Sequence, residues 1–195
     1  MKAYSGFKSE PKAQSYPMLP AGAYVATIKD VRIDGTEPDQ QLLIRVEITE
    51  GEYAGYYTKR YNNDLNGGSD YEVKYKGVYR LRIPNPDNPH TQHPEWDVRA
   101  FNNAIWAIEQ SNPGYHWDWN ESGLKGRAVG INVREGTYNG NPYTSIGRLE
   151  VVSAVRDGRV KPMKPRPDAG FGASVTTGNA VPSAGFTPVE EDLPF

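Results

Sequence analysis

Residues 42–49 read LLIRVEIT, with an apolar side chain at every second position from Leu42 to Ile48. A period of two is typical of a β-strand that buries one face, so this stretch predicts a strand at the centre of the fold. Residues 24–33 follow the same alternation, but their apolar positions change parity after residue 28. Such a change within one strand predicts a β-bulge, which sharply coiled strands need.

The same alternation predicts further strands on the C-terminal side of this pair. They lie at residues 56–61, 78–83, 129–135 and 143–155. A turn within residues 136–142 joins the last two into a long hairpin. The one predicted helix follows Pro94, where apolar residues recur at spacings of three and four, and it ends at Asn112-Pro113-Gly114. Its apolar positions are Val98, Phe101, Ile105 and Ile108.

This order of elements predicts a mainly β fold. It matches a five-stranded Greek-key barrel of the OB type, with the helix between the third and fourth strands, insertion loops and a disordered C-terminal tail. Other small β barrels and sandwiches are the alternatives. Glycine and proline concentrate after residue 156, where apolar periodicity is lost, so a disordered linker is expected there. We therefore expect a flexible N-terminal segment at 1–20, the OB domain at 21–156, the linker at 157–189 and an acidic tip at 190–195.

Composition excludes several classes of protein. The chain has 195 residues and no cysteine, which excludes a disulfide-stapled fold, a cysteine-ligated zinc site and a cysteine nucleophile, and favours a reducing cytoplasm. No stretch approaches the roughly 18 apolar residues of a membrane span, so no contact with a membrane is expected. The 22 basic and 24 acidic residues nearly balance, so any surface that binds an anion must be a local patch.

Such a patch is predicted where tyrosines interleave with lysines and arginines along the strands. Single-stranded nucleic acid binds to surfaces of this kind, because bases stack on rings and phosphates follow the cations. Tyrosines that pack half-buried and cations that only solvate a strand face are the alternative interpretation. The predicted DNA-binding residues are Tyr57, Lys59, Arg60, Tyr61, Lys74, Tyr75, Lys76, Arg80, Arg82, Arg134 and Tyr138.

Motifs for catalysis are missing, and we expect neither an enzyme nor a cofactor. The sequence has no phosphate-binding loop, no dinucleotide fingerprint and no nucleophile elbow. One alternative stays open, because His90 and His93 with Asp87 and Asp97 are residue types that hold a divalent ion. A metal-dependent nuclease would use these four side chains, although the prolines between them favour an irregular surface loop.

The last six residues form an acidic and hydrophobic tip. In such a tip the terminal ring can enter an apolar pocket on a partner, while the acids steer it toward a basic surround. The uncharged segment before it would tether the tip as a flexible linker. The predicted partner-binding residues are Glu190, Glu191, Asp192, Leu193, Pro194 and Phe195.

The segment Glu191–Phe195 resembles the acidic tip of bacterial-type single-stranded DNA-binding proteins, which have an OB fold followed by a disordered linker. Residues 19–28, LPAGAYVATI, and 50–55, EGEYAG, look more like a family of phage-encoded proteins of the same general kind. The resemblance implies binding of single-stranded DNA in the cytoplasm or nucleoid of a bacterial host. It also implies recruitment of replication, recombination and repair proteins through the tip, and it leaves open whether the chain forms a homo-oligomer. The alternative is a structural or assembly-associated β barrel that docks a partner without binding DNA.

Overall fold

The computed structural model describes residues 16–67 and 72–168, so the predicted tip and most of the predicted linker lie outside the described residues. The described chain contains five strands, three α-helices and one 3-10 turn. In chain order these are β1 (Gly22–Asp34), β2 (Gln41–Ile48), α1 (Tyr56–Asn66), β3 (Val78–Arg82), α2 (Pro94–Ser111), the 3-10 turn (Glu121–Leu124), β4 (Ala128–Tyr138), β5 (Asn141–Glu150) and α3 (Val152–Arg156).

The five strands form one antiparallel sheet in the order β3-β2-β1-β4-β5. The prediction of a mainly β chain is therefore confirmed. The end strands β3 and β5 lie beside each other, but no ladder joins them among the described strands. A gap separates these two end strands.

Helix α2 covers the core at this gap, because it packs against β3, β4 and β5. It buries Phe101, Ala104, Ile105, Ala107 and Ile108, which include three of the four apolar positions predicted for it. Proline at its first position and two acids in its first turn suit a helix N-terminus. The predicted helix and its end are confirmed.

The bulge predicted in β1 lies between Ile28 and Asp30, where the register with β2 shifts. Ile28 is fully buried before the bulge, and Val31 packs against the core after it. The shift leaves Asp30 and Arg32 exposed on the outward face of the sheet. The bulge thus determines which face of β1 carries Arg32.

The strand predicted at 56–61 is wrong, because this stretch forms helix α1. Gly55 turns the chain with a φ of 76°, and the first N–H groups of the helix then need acceptors. The Glu47 carboxylate of β2 supplies them, accepting hydrogen bonds from the N–H groups of Tyr57 at 3.0 Å and Thr58 at 2.8 Å. This acceptor from another element stabilises a helix in a segment whose tyrosines have strand propensity.

The predicted hairpin is present with a tighter turn. Asn139 and Gly140 have φ values of 50° and 74°, and Tyr138 pairs directly with Asn141. Positive φ at both central residues is the requirement of a type I′ turn, which matches the twist of the flanking strands.

The return strand was predicted to continue to residue 155, but it ends at Glu150 and helix α3 follows. Helix α3 packs on β1 and β4. At Gly130 of β4 an added Cβ would lie 2.6 Å from the Val155 side chain, so the glycine makes room for the helix. Packing against the sheet therefore decides the conformation of this valine-rich segment.

Residues 157–168, here called the strap, run along β4 after α3. The Asn132 side chain donates a hydrogen bond to the carbonyl of Lys161 at 3.0 Å, and the N–H of Arg166 donates to the carbonyl of Glu135 at 2.8 Å. At the other end of the chain, the Tyr56 hydroxyl donates to the carbonyl of Pro17 at 2.7 Å. The strap and residues 16–20 therefore pack with the domain that the sequence assigns to 21–156. None of the helices within the described ranges is long and apolar enough to cross a membrane.

Candidate nucleic-acid interface

The outward face of β1, β2 and β3 carries a cleft of about 400 Å³, here called the sheet cleft. Strand register builds it in two rows. In one row Arg32 of β1 pairs with Leu43 of β2, which pairs with Arg80 of β3. In the other row Asp30 pairs with Arg45, and Arg45 with Val78. The lining is completed by Tyr61, Glu72, Val73, Lys74 and Tyr75.

The sheet cleft has an excess of positive charge. Its four cations are Arg32, Arg45, Lys74 and Arg80, and its two acids are Asp30 and Glu72. Lys74 and Glu72 approach only to 4.0 Å and are mostly exposed, so their mutual attraction is weak. Within the described ranges Arg32 and Arg45 have no carboxylate at ion-pair distance. The cleft is thus a local basic patch on a nearly neutral chain.

Tyr75 forms part of the wall of the cleft. Its hydroxyl donates to the carbonyl of Val46 at 2.9 Å and lies 3.1 Å from Glu47 Oε2. Burial, and then the charge of Glu47, raise the pKa of Tyr75 to about 12, so the hydroxyl remains a donor at neutral pH. The Arg45 guanidinium lies over the ring, 4.0 Å from its centroid. This cation–π contact orients Arg45 before any ligand arrives.

Glu47 is the buried centre of this wall, with 6% of its surface exposed. Besides the two N–H groups of α1, it accepts a hydrogen bond from the Thr58 hydroxyl and shares the Tyr75 hydroxyl proton with the carbonyl of Val46. No lysine or arginine of the described chain pairs with it, so these donors and the helix N-terminus compensate its charge. One carboxylate therefore holds both α1 and Tyr75 in place.

Four of the predicted DNA-binding residues, Tyr61, Lys74, Tyr75 and Arg80, line the sheet cleft. Tyr57 does not line the sheet cleft. It is 5% exposed and packs in the core against its neighbours Tyr56 and Tyr75, which leaves no ring face for a base.

The other predicted residues lie elsewhere. Lys59 is exposed on α1, and Arg82 lies 3.8 Å from Asp97 of α2. Arg60 and Lys76 line a groove between the start of β3 and β5. Arg134 and Tyr138 belong to β4, on the other side of the sheet order. The sequence-predicted residues thus divide among several places.

Two cations of the sheet cleft, Arg32 and Arg45, are missing from the predicted set. Arg45 carried a usable signal, because it is the charged residue between the core positions Ile44 and Val46. Arg32 carried no such signal, because the face of the sheet on which it lies depends on the bulge at Ile28 and on the register with β2.

The metal-site alternative is not supported by the positions of its residues. His90 Nδ1 lies 2.5 Å from Asp39 Oδ2, and His93 pairs with Glu95 and stacks on Trp96. Asp97 lies against Arg82. No group of three or more histidine or acidic side chains that could hold a metal ion occurs in the described part of the chain.

No protein-family model matches the sequence, and no curated protein matches it either. The cleft geometry and the sequence features are therefore what bears on function.

Proposed function

We propose that this chain binds single-stranded DNA without strong sequence preference, and that the sheet cleft is the binding surface. The observation that carries the proposal is the group of exposed arginines on three adjacent strands, with Arg32 and Arg80 in one row of the sheet cleft and Arg45 in the next. Cations grouped in this way can follow the phosphates of a strand, while rings beside them accept the bases. These are the two elements of sequence-tolerant binding.

The roles within the cleft follow from exposure and partners. The phosphates contact the four cations of the cleft, Arg32, Arg45, Lys74 and Arg80. Tyr61, which is partly exposed and lies 6.0 Å from the Tyr75 ring, stacks on a base. Stacking needs an unpaired base, so this arrangement favours single strands over duplex.

The topology supports an OB-type barrel as the scaffold. The strand order β3-β2-β1-β4-β5, with α2 between β3 and β4, becomes a five-stranded Greek-key barrel if β3 and β5 close the gap between them. Barrels of this type bind oligonucleotides on the face of their second and third strands. The sheet cleft lies on β2 and β3, with β1 at its side.

Titration of a labelled oligo(dT) by fluorescence anisotropy, at several salt concentrations, tests the proposal. Unlabelled duplex of equal length serves as the competitor. We expect binding that resists duplex and weakens with salt, with a log–log slope of about −0.7 for each phosphate neutralised. Absence of binding at low salt would contradict the proposal and leave the structural or assembly-associated β barrel as the alternative.

We further propose that the tip at 190–195, outside the described residues, recruits replication, recombination and repair proteins in a bacterial host. Deletion of Asp192–Phe195 should leave oligo(dT) affinity unchanged or slightly tighter, because the acids compete with DNA for a basic surface. The same deletion should abolish capture of host replication proteins, since it removes the Phe195 ring together with Leu193 and Pro194.

A full-length variant with the last six residues in scrambled order is the matched control for that deletion. It keeps the charge of the tip and changes only the order of its side chains. A large loss of DNA binding on deletion would contradict the division between a DNA-binding domain and a docking tip.

A further inference from the structure

A second basic groove lies between β5 and the strap, with a volume of about 620 Å³, and is here called the strap groove. Its cationic lining comes from both the sheet and the strap. The cations are Arg134, Arg148, Arg159, Lys161 and Lys164. The only acid among the lining residues is Glu150, 3.8 Å from Arg148.

The charges of this groove are incompletely compensated within the described chain. Arg159 pairs with Asp157 at 2.8 Å, but Lys161 and Lys164 have no acidic partner there. Arg134 Nε is buried without a hydrogen-bond partner. Burial, and then the charge of Arg166, lower the pKa of Arg134. A buried guanidinium nitrogen without a partner, beside further cations, favours an anionic ligand.

An aromatic ring lies next to these cations. The adjoining groove shares Arg148 and Met163 with the strap groove and is lined by Trp96, whose side chain is 60% exposed. His93 stacks on the same indole with ring centroids 4.0 Å apart, which holds the ring in one orientation. A fixed ring beside a row of cations fits a nucleotide chain better than a small free anion.

A further groove, at the gap between β3 and β5, adjoins the sheet cleft and approaches the groove beside Trp96. The sheet cleft shares Val78 with the groove that holds Arg60 and Lys76. That groove reaches Ser145 on β5, two residues before Gly147 in the groove beside Trp96. Cations therefore recur from the sheet cleft to the strap.

We propose that the strap groove is a second contact surface for the same single strand of DNA. A strand that leaves the sheet cleft crosses the gap between β3 and β5. Its phosphates then bind Arg134, Arg148, Lys161 and Lys164, and a base stacks on Trp96. This inference rests on the function proposed above and adds that the path of the DNA includes the strap.

Replacement of both strap lysines, Lys161→Gln with Lys164→Gln, tests this path in the full chain. Both side chains are exposed and have no acidic partner in the part of the chain that the structure describes, so the fold should be unaffected. The probes are oligo(dT) of about 8 nucleotides, which one surface accommodates, and of about 30 nucleotides, which spans both. We expect roughly tenfold weaker binding of the long probe, with a salt slope smaller by about 1.4, and no change for the short one.

The matched control is Lys29→Gln with Lys125→Gln, which removes the same charge from exposed positions outside the described grooves. It should bind both probes like the parent. Parental binding of the long probe by the strap variant would overturn the inference while leaving the sheet cleft intact. Such a result would leave the chain's own acidic tip as the candidate ligand of the strap groove. A parent that binds neither probe would overturn the proposed function and this inference together.

Discussion

Replacing Glu47 with alanine is expected to lower the free energy of unfolding by about 4 kcal/mol, since each buried donor left without an acceptor costs about 1–3 kcal/mol. The carboxylate accepts hydrogen bonds from the N–H groups of Tyr57 and Thr58, which begin α1, and from the Thr58 hydroxyl. Urea unfolding followed by tryptophan fluorescence measures the change, and an unaltered m value would show that the unfolded state is unaffected.

The control for this prediction is Glu52→Ala, which removes an exposed acid from the connection between β2 and α1. A surface change of this kind should stay within about 0.5 kcal/mol of the parent. The free energy of unfolding of Glu47→Gln should lie between those of Glu47→Ala and Glu52→Ala. The amide keeps one acceptor oxygen but turns an unsuitable donor toward the helix N-terminus. Parental stability of Glu47→Ala would mean that α1 does not depend on this carboxylate.

Replacing Arg32, Arg45 and Arg80 together with glutamine is expected to weaken oligo(dT) binding by about 100-fold or more at low salt, because three phosphate contacts are lost from the sheet cleft. The log–log salt slope should become smaller by about 2, at about 0.7 for each contact. All three side chains are exposed, so loss of folding is not the expected cause. Circular dichroism of the variant, with anisotropy at several salt concentrations, checks both points.

A variant that removes three positive charges elsewhere separates local contacts from net charge. The control variant combines three substitutions, Lys29→Gln, Lys125→Gln and Arg156→Gln. All three side chains are exposed and lie outside the described grooves. This variant should keep most of the affinity for oligo(dT), and its log–log salt slope should equal that of the parent. An equal loss in the two variants would indicate that general charge, and not the sheet cleft, attracts the DNA.

Much of the fold could be predicted because its signals are local. The alternation at 42–49, the parity change after Ile28 and the spacing of Phe101, Ile105 and Ile108 each depend on which face of one element meets the core. The hairpin could be placed for the same reason, although its turn is shorter than predicted. Arg80 and Tyr61 were found in the candidate site because cations and rings are recognisable along the chain.

The sequence by itself determined a mainly β chain with one long helix, a bulged first strand and a C-terminal hairpin, since periodicity within an element follows from burying one of its faces. Tertiary structure alone decided that 56–61 is a helix, because its acceptor Glu47 lies on another element. It also decided that Arg32 and Arg45 line the same cleft and that the strap runs along β4. These facts depend on register and on contacts between residues distant in sequence, which no local pattern contains.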